Sequence, residues 1–122
     1  MKRQFVLEIP HLPARQLSPN GRCHWRVKYQ FVRYARDEAG WEGVAHWRRQ
    51  PAMQYAKVSY HFHAKRKNER DRDNLIASCK PYLDGLVDAG VMVSDGSKHL
   101  SIGEVTIEYG TRDGFELVVT EL

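Results

Sequence analysis

Cysteine is scarce: Cys23 and Cys79 are the only two, and they form no C-x-x-C pair. That argues against a disulfide framework and a cysteine-rich zinc module, and it points to a reducing compartment. No apolar run approaches the ~20 residues needed to span a bilayer. The opening MKRQFVLEIPHLP is interrupted by Glu8 and Pro10 and is too short for a secretory signal. The expectation is a soluble cytoplasmic protein with no membrane partner. Also missing are a G-x-S-x-G elbow, a phosphate-binding glycine loop and a paired cysteine–histidine nucleophile, which removes the common motif-marked hydrolases and P-loop enzymes.

Acidic residues are in deficit, with 15 Asp and Glu against 19 Lys and Arg, a formal charge of +4 over 122 residues. A basic balance favours anionic partners, nucleic acid first, without specifying chemistry. Apolar residues make up 42% of the chain, enough for one core and too little length for two.

Along the chain, Gln4 to Ile9 reads as a strand stopped by Pro10 and Pro13. Pro19-Asn20-Gly21 is turn chemistry. From Cys23 to Trp47, Trp25, Tyr29, Val32, Ala35 or Arg36, and Ala39 recur at helical steps, with Arg22, Arg26, Lys28, Arg33 and Arg36 punctuating the stripe. Pro51 ends that helix by Gln50. Trp25, Tyr29, Phe31, Trp41 and Trp47 are expected in the core or a dimer interface, with one of them a candidate base-stacking wedge. Gln54 to His63 alternates apolar and polar residues, as a half-buried strand does. There, His61 and His63 read as a polar sheet face, since a zinc site would require a third suitable ligand. A helix is predicted from Asn74 to Ala89, ended by Gly90. Strands at Ile102 to Tyr109 and Phe115 to Glu121 flank GTRDG, read as a hairpin turn. The order β-α-β-α-β-β predicts a single α+β domain over residues 1–122, with helices on a small mixed sheet.

The chemistry concentrates in ERDRDNLIASCKPYLDGLVDAGVMVSD, Glu69 to Asp95. Leu75, Ile76, Cys79, Leu83, Leu86 and Val87 form the core stripe of its helix. At about 100° per residue, Lys80 and Asp84 each lie within about 20° of Asp73's direction, one on either side, so the three share another face. Asp73 in this reading is a natural N-cap, and Lys80–Asp84 an i, i+4 ion pair. The alternative is a metal site. Converging carboxylates repel until a hard divalent cation joins them, and all-oxygen ligation suits Mg²⁺ or Mn²⁺. A nearby lysine could balance charge on phosphoryl oxygens, and Lys65, Arg66, Lys67, Arg70 and Arg72 could grip flanking phosphates.

The ordered set D-x-D-N-L, K-x-x-x-D-G-L, A-G-V and an acidic position at Asp95 resembles the motif region of the RusA family of Holliday junction resolvases of bacteria and their prophages. The resemblance is specific over Arg70 to Lys98. It implies a RusA-like fold and a homodimeric, Mg²⁺-dependent endonuclease, with Mn²⁺ as an alternative ion, acting on four-way (Holliday) junctions in DNA recombination and repair. It further implies that Asp71, Asp73 and Asp95 bind metal, that Lys80 is the functional lysine, and that cuts leave 5′-phosphates. Two equivalent sites in an isologous dimer suit two symmetric nicks. The chain departs from the family in two places. Ser94-Asp95 stands where an acidic pair is usual, and three extra residues precede Lys80. Those residues keep Lys80 on the same face but move it about 4.5 Å along the axis. Arg22 and Arg26, with the cations before Asp71, are expected to hold DNA arms. Rival readings are a non-catalytic junction-binding protein, a nuclease preferring flaps, forks or single strands, and a basic protein-interaction domain whose aspartates only cap a helix.

Overall fold

Proline at position 81 decides how the central helical segment is built. In the computed structural model, which describes residues 2–19, 23–66 and 71–122, the expected single helix is two. α2 covers Arg72–Ser78 and α3 covers Lys80–Asp88, with Cys79 between them at φ −85°, ψ −5°. Pro81 has no N–H to continue the ladder, so the chain tightens, and the Cys79 N–H bonds the Ile76 carbonyl at 3.0 Å. Pro81 then falls in the first turn of α3, where the missing donor costs nothing. The predicted Asn74–Ala89 helix is corrected accordingly, although its core stripe holds. Leu75, Cys79, Leu83 and Leu86 are buried, and Ile76 and Val87 are partly so.

The other elements are β1 (Gln4–Ile9), a single helical turn at Arg15–Leu17, α1 (Trp25–Trp47), β2 (Ala56–Ala64), β3 (Leu100–Tyr109) and β4 (Gly114–Glu121). The sheet order is β1-β4-β2-β3, antiparallel except for the β2–β3 pair. The α+β architecture with helices on a small mixed sheet is as read from the sequence. The hairpin at GTRDG is not: β2 lies between β3 and β4. Residues 110–113 hop over the end of β2, about two strand spacings or roughly 10 Å, which four extended residues can reach. Asp113 in that hop accepts the Lys65 N–H at 2.9 Å, pinning the chain as it leaves β2.

One sheet face carries Phe5, Leu7, Ile9, Val58, Tyr60, Phe62, Phe115, Leu117 and Val119, all buried in the core with the helices. The other face is polar in part. His61 Nδ1 lies 2.8 Å from Thr106 Oγ1. His63 Nε2 lies 2.9 Å from Glu116 Oε2, near enough for an ion pair but poorly angled for a hydrogen bond. Both histidines thus serve the polar face of the sheet. Among the described residues no helix is long and apolar enough to cross a membrane.

α1 and α3 meet along small residues. Ala35, Ala39 and Gly43 are buried on α1, and Gly85 faces them. A Cβ on Gly85 would fall 2.2 Å from the Arg36 carbonyl oxygen. Such close approach is one reason the exposed aromatics of α1 do not help fill this seam: Trp47 alone among its tryptophans is buried, Phe31 is partly buried, and Trp25, Tyr29 and Trp41 are exposed. The core expectation therefore fails for those three.

Across the seam the Arg36 guanidinium donates twice to Asp88, at 2.5 and 2.8 Å. That pairing holds the Asp88 carboxyl below its usual value of 3.8. Both side chains are about half exposed, so the pair contributes no more than about 1 kcal/mol. A depressed carboxyl stabilises the fold above its unfolded pKa, and that contribution disappears as pH falls through the lower folded value. Asp88→Asn is therefore expected to lose a little stability at pH 7 and to show a shallower decline below pH ~4. Urea midpoints at pH 7 and pH 3 check this; parallel losses in both proteins would remove the assigned role.

Candidate active site

Asp71 starts α2. It is the N-cap, at φ −78°, ψ 170°, and its Oδ1 accepts the Asn74 N–H at 2.7 Å. The cap is therefore Asp71 and not Asp73, because the helix begins at Arg72, two residues earlier than the apolar pattern suggests. Asp73 lies exposed in the first turn, complementing the positive end of the helix. Asn74 supplies an anchor that the sequence reading missed. Its Nδ2 donates to Ser18 Oγ at 2.5 Å, tying the acidic helix start to the segment after the Arg15–Leu17 turn. The signal was present as the N of D-x-D-N.

Asp95 reaches the site through a tight reversal after α3. Gly90 has φ +80°, and the Val91 N–H bonds the Leu86 carbonyl at 3.0 Å, the long-range bond of a Schellman ending. Met92 then bridges Met53, with the Val93 N–H donating to the Met53 carbonyl at 3.0 Å. Ser94, the residue that departs from an acidic pair, accepts the Gly96 N–H on its Oγ at 3.0 Å. Its hydroxyl thus shapes the turn that carries Asp95.

Lys80 joins the two parts of the crossover. Its Nζ donates to Asp84 Oδ1 at 2.7 Å and to Asp95 Oδ2 at 2.5 Å. The expected Lys80–Asp84 pair is present, and Asp95 completes a carboxylate–ammonium–carboxylate bridge. Asp84 first, then Asp95, holds the ammonium protonated above the usual lysine range. Burial raises the Tyr60 hydroxyl's pKa, with smaller contributions from Cys79 and Asp95. Asp84 and Asp95 side chains are only about a quarter exposed, whereas the Lys80 side chain is 61% exposed and open to a ligand.

The structure thus brings Lys80, Asp84 and Asp95 together, and it places Asp71 and Asp73 at the start of α2. Among the described residues, no three His, Cys, Asp or Glu side chains already form a cation cage. Lys65, Arg66, Arg72 and Arg26 are exposed. Arg22, Lys67 and Arg70 lie outside the described residues.

No protein-family model matches the chain. The chain is 33% identical over 96 aligned residues to an uncharacterized protein of Xylella fastidiosa (strain Temecula1), a match covering 73% of this chain. The chain spans 60% of that relative's length.

Proposed function

We propose that this chain is a Mg²⁺-dependent, structure-specific endodeoxyribonuclease that nicks four-way DNA junctions as a homodimer in the bacterial cytoplasm. The observation that carries the proposal is the Lys80 bridge. A single crossover between β2 and β3 sets an exposed ammonium against Asp95, and the same crossover opens with Asp71 and Asp73 in a chain of net charge +4. That juxtaposition of concentrated acid, one cation and a basic surround suits phosphodiester chemistry better than it suits stability alone, since exposed ion pairs stabilise weakly.

The donor set fits a hard divalent ion. Asp71, Asp73 and Asp95 offer only carboxylate oxygen, and a bound cation would have to take Asp95 from Lys80. Asp71, Asp73 and Asp95 are the residues that would hold such an ion, which would supply Lewis-acid polarisation of a phosphate oxygen and activation of water. Lys80 offers its ammonium to the phosphoryl oxygens, and Asp84 keeps it in place when Asp95 is engaged elsewhere. Asn74, held by Ser18, fixes the backbone from which Asp71 and Asp73 project. Lys65, Arg66, Arg72 and Arg26 grip flanking phosphates without reading bases.

A four-way junction assembled from labelled oligonucleotides, incubated with Mg²⁺ or with EDTA, tests the reading. Paired symmetric nicks only with Mg²⁺ support it. Tight binding without nicks turns the assignment to a junction-binding protein. Faster cutting of flaps or forks at equal ionic strength turns it to a nuclease of other preference. Lys80→Met is expected to slow nicking about 100-fold, the scale of losing one charge-stabilising donor. Its unfolding midpoint is expected to move little, because the bridge is at the surface. Unchanged nicking by Lys80→Met would remove lysine from the mechanism.

A further inference from the structure

The first half of α1 carries an exposed ridge whose composition folding does not explain. Trp25 is 67% exposed and Tyr29 is 60% exposed. At about 100° per residue they point within about 40° of each other. Both continue the direction of the buried Gly43 and Trp47, so the core-facing stripe of α1 runs on past the body it packs against. Arg33 and Arg26 follow within the next about 60° around the helix. The Arg26 guanidinium sits 5.3 Å from the Trp25 ring centroid, and His24 stacks on the same side chain at 5.7 Å.

Charge placement deepens the anomaly. From Trp25 to Arg36 the helix has four cations and no acid, and its acids, Asp37, Glu38 and Glu42, come later. A helix dipole favours the reverse order, with acids at the start and bases at the end. Self-stabilisation therefore does not account for Arg26 and Lys28 in the opening turn. A second copy of this chain is also a poor occupant. An isologous contact would set the same cationic patch against itself. A polyanion with flat apolar rings meets both features: phosphates for the guanidinium groups, and base faces for Trp25 and Tyr29.

We infer that the ridge of Trp25, Arg26, Tyr29 and Arg33 binds nucleic acid with unpaired bases, stacking bases on the two rings and pairing phosphates with the two arginines. The inference rests on the nuclease reading for its setting, since branched DNA exposes unstacked bases at its crossing point. It adds a second contact area on α1. The Arg15–Leu17 turn packs against both α1 and α2, the helices that carry the ridge and the acidic helix start.

Fluorescence anisotropy of a labelled oligo-dT strand, a matched duplex and a four-way junction, all in EDTA, provides the test. Trp25→Ala and Tyr29→Ala are each expected to weaken oligo-dT and junction binding about tenfold, with much less effect on duplex. Arg26→Gln and Arg33→Gln are each expected to reduce the dependence of log K on log salt for the single strand by about 0.7. Trp41→Ala, 77% exposed on the acidic half, serves as the control and is expected to bind as wild type. Arg26→Glu separates binding from folding. It is expected to lose oligo-dT affinity while its melting temperature holds or rises, because the dipole conflict is relieved.

Wild-type affinity in both Trp25→Ala and Tyr29→Ala overturns the inference. So does a drop in sedimentation mass with unchanged DNA affinity, which would make the ridge a contact between copies. Ridge variants that lose oligo-dT while the wild-type protein never nicks a junction leave the ridge standing and remove the nuclease. Intact nicking with ridge variants that bind normally does the opposite.

Discussion

Gly85→Ala is expected to destabilise the fold by about 3 kcal/mol or more, the upper range for overpacking a tight core. Helix propensity alone predicts the opposite sign, since alanine in a helix interior is favoured over glycine by up to about 1 kcal/mol. Sterics decide the outcome. The new methyl would sit 2.2 Å from the Arg36 carbonyl oxygen, 2.9 Å from Ala39 Cβ and 3.0 Å from the Gly40 nitrogen. Two of those atoms are backbone, so no rotamer change relieves the clash. Either α1 and α3 separate or one of them bends, and each disturbs packing around Leu86 and Ala39, both fully buried. For a domain of this size, each kilocalorie moves the melting temperature by about 3–5 °C, so a fall of roughly 10 °C or more is expected. Gly40→Ala is the control: its methyl meets only the Gly85 oxygen, at 3.6 Å, an ordinary contact. That variant is expected to hold or gain stability. Thermal unfolding followed by circular dichroism reads both, and a neutral Gly85→Ala would show that the helices stand further apart than described.

The second large effect is on catalysis, and Asp71 makes it separable from stability. Asparagine caps a helix as well as aspartate, whereas alanine costs about 1 kcal/mol. Asp71→Asn thus keeps the bond to the Asn74 N–H and removes only the charge. Nicking by Asp71→Asn is expected to fall more than about 100-fold, since even outer-shell partners of a metal site can cost that much. Its melting temperature is expected to stay close to that of wild type. Asp71→Ala is expected to lose both activity and stability. Asp73→Asn and Asp95→Asn are expected to match Asp71→Asn in nicking rate, the latter also releasing one of the two carboxylates that Lys80 holds. If Asp71→Asn nicks at the wild-type rate while Asp71→Ala melts early, the residue is a cap alone.

These contrasts follow from features that differed in how visible they were in the chain. Alternation in β2 and the apolar stripe Leu75–Cys79–Leu83–Leu86 reported local burial, and both were read correctly because the periods are local properties of the backbone. Trp25 and Tyr29 lie in line with the buried Gly43 and Trp47, yet they are exposed, so placing them in the core failed. What the pattern lacked was the point at which the body under α1 stops. The hairpin reading failed for a related reason. Turn chemistry at GTRDG specifies a reversal, but it does not specify that β2 occupies the place between the two strands. The cap was misplaced by two residues because two aspartates offered the same chemistry, and the polar first turn of α2 gave no apolar marker. Lys80 meeting both Asp84 and Asp95 was half visible. The i, i+4 partner follows from helix geometry, whereas the other depends on the turn at Gly90 and the bridge to Met53.

The place of β4 bears on how the chain reaches this state. β1 sits at the sheet edge and pairs with β4, setting Gln4 opposite Thr120, while Arg3 clasps Glu121. Nucleation from the β2–α2–α3–β3 crossover can proceed early, but β1 must wait through a loop spanning nearly the whole sequence. Such distant closure slows refolding, and in the interval β4 offers a bare edge to other chains. Self-association during refolding, rather than from the finished molecule, is the hazard this strand order builds in.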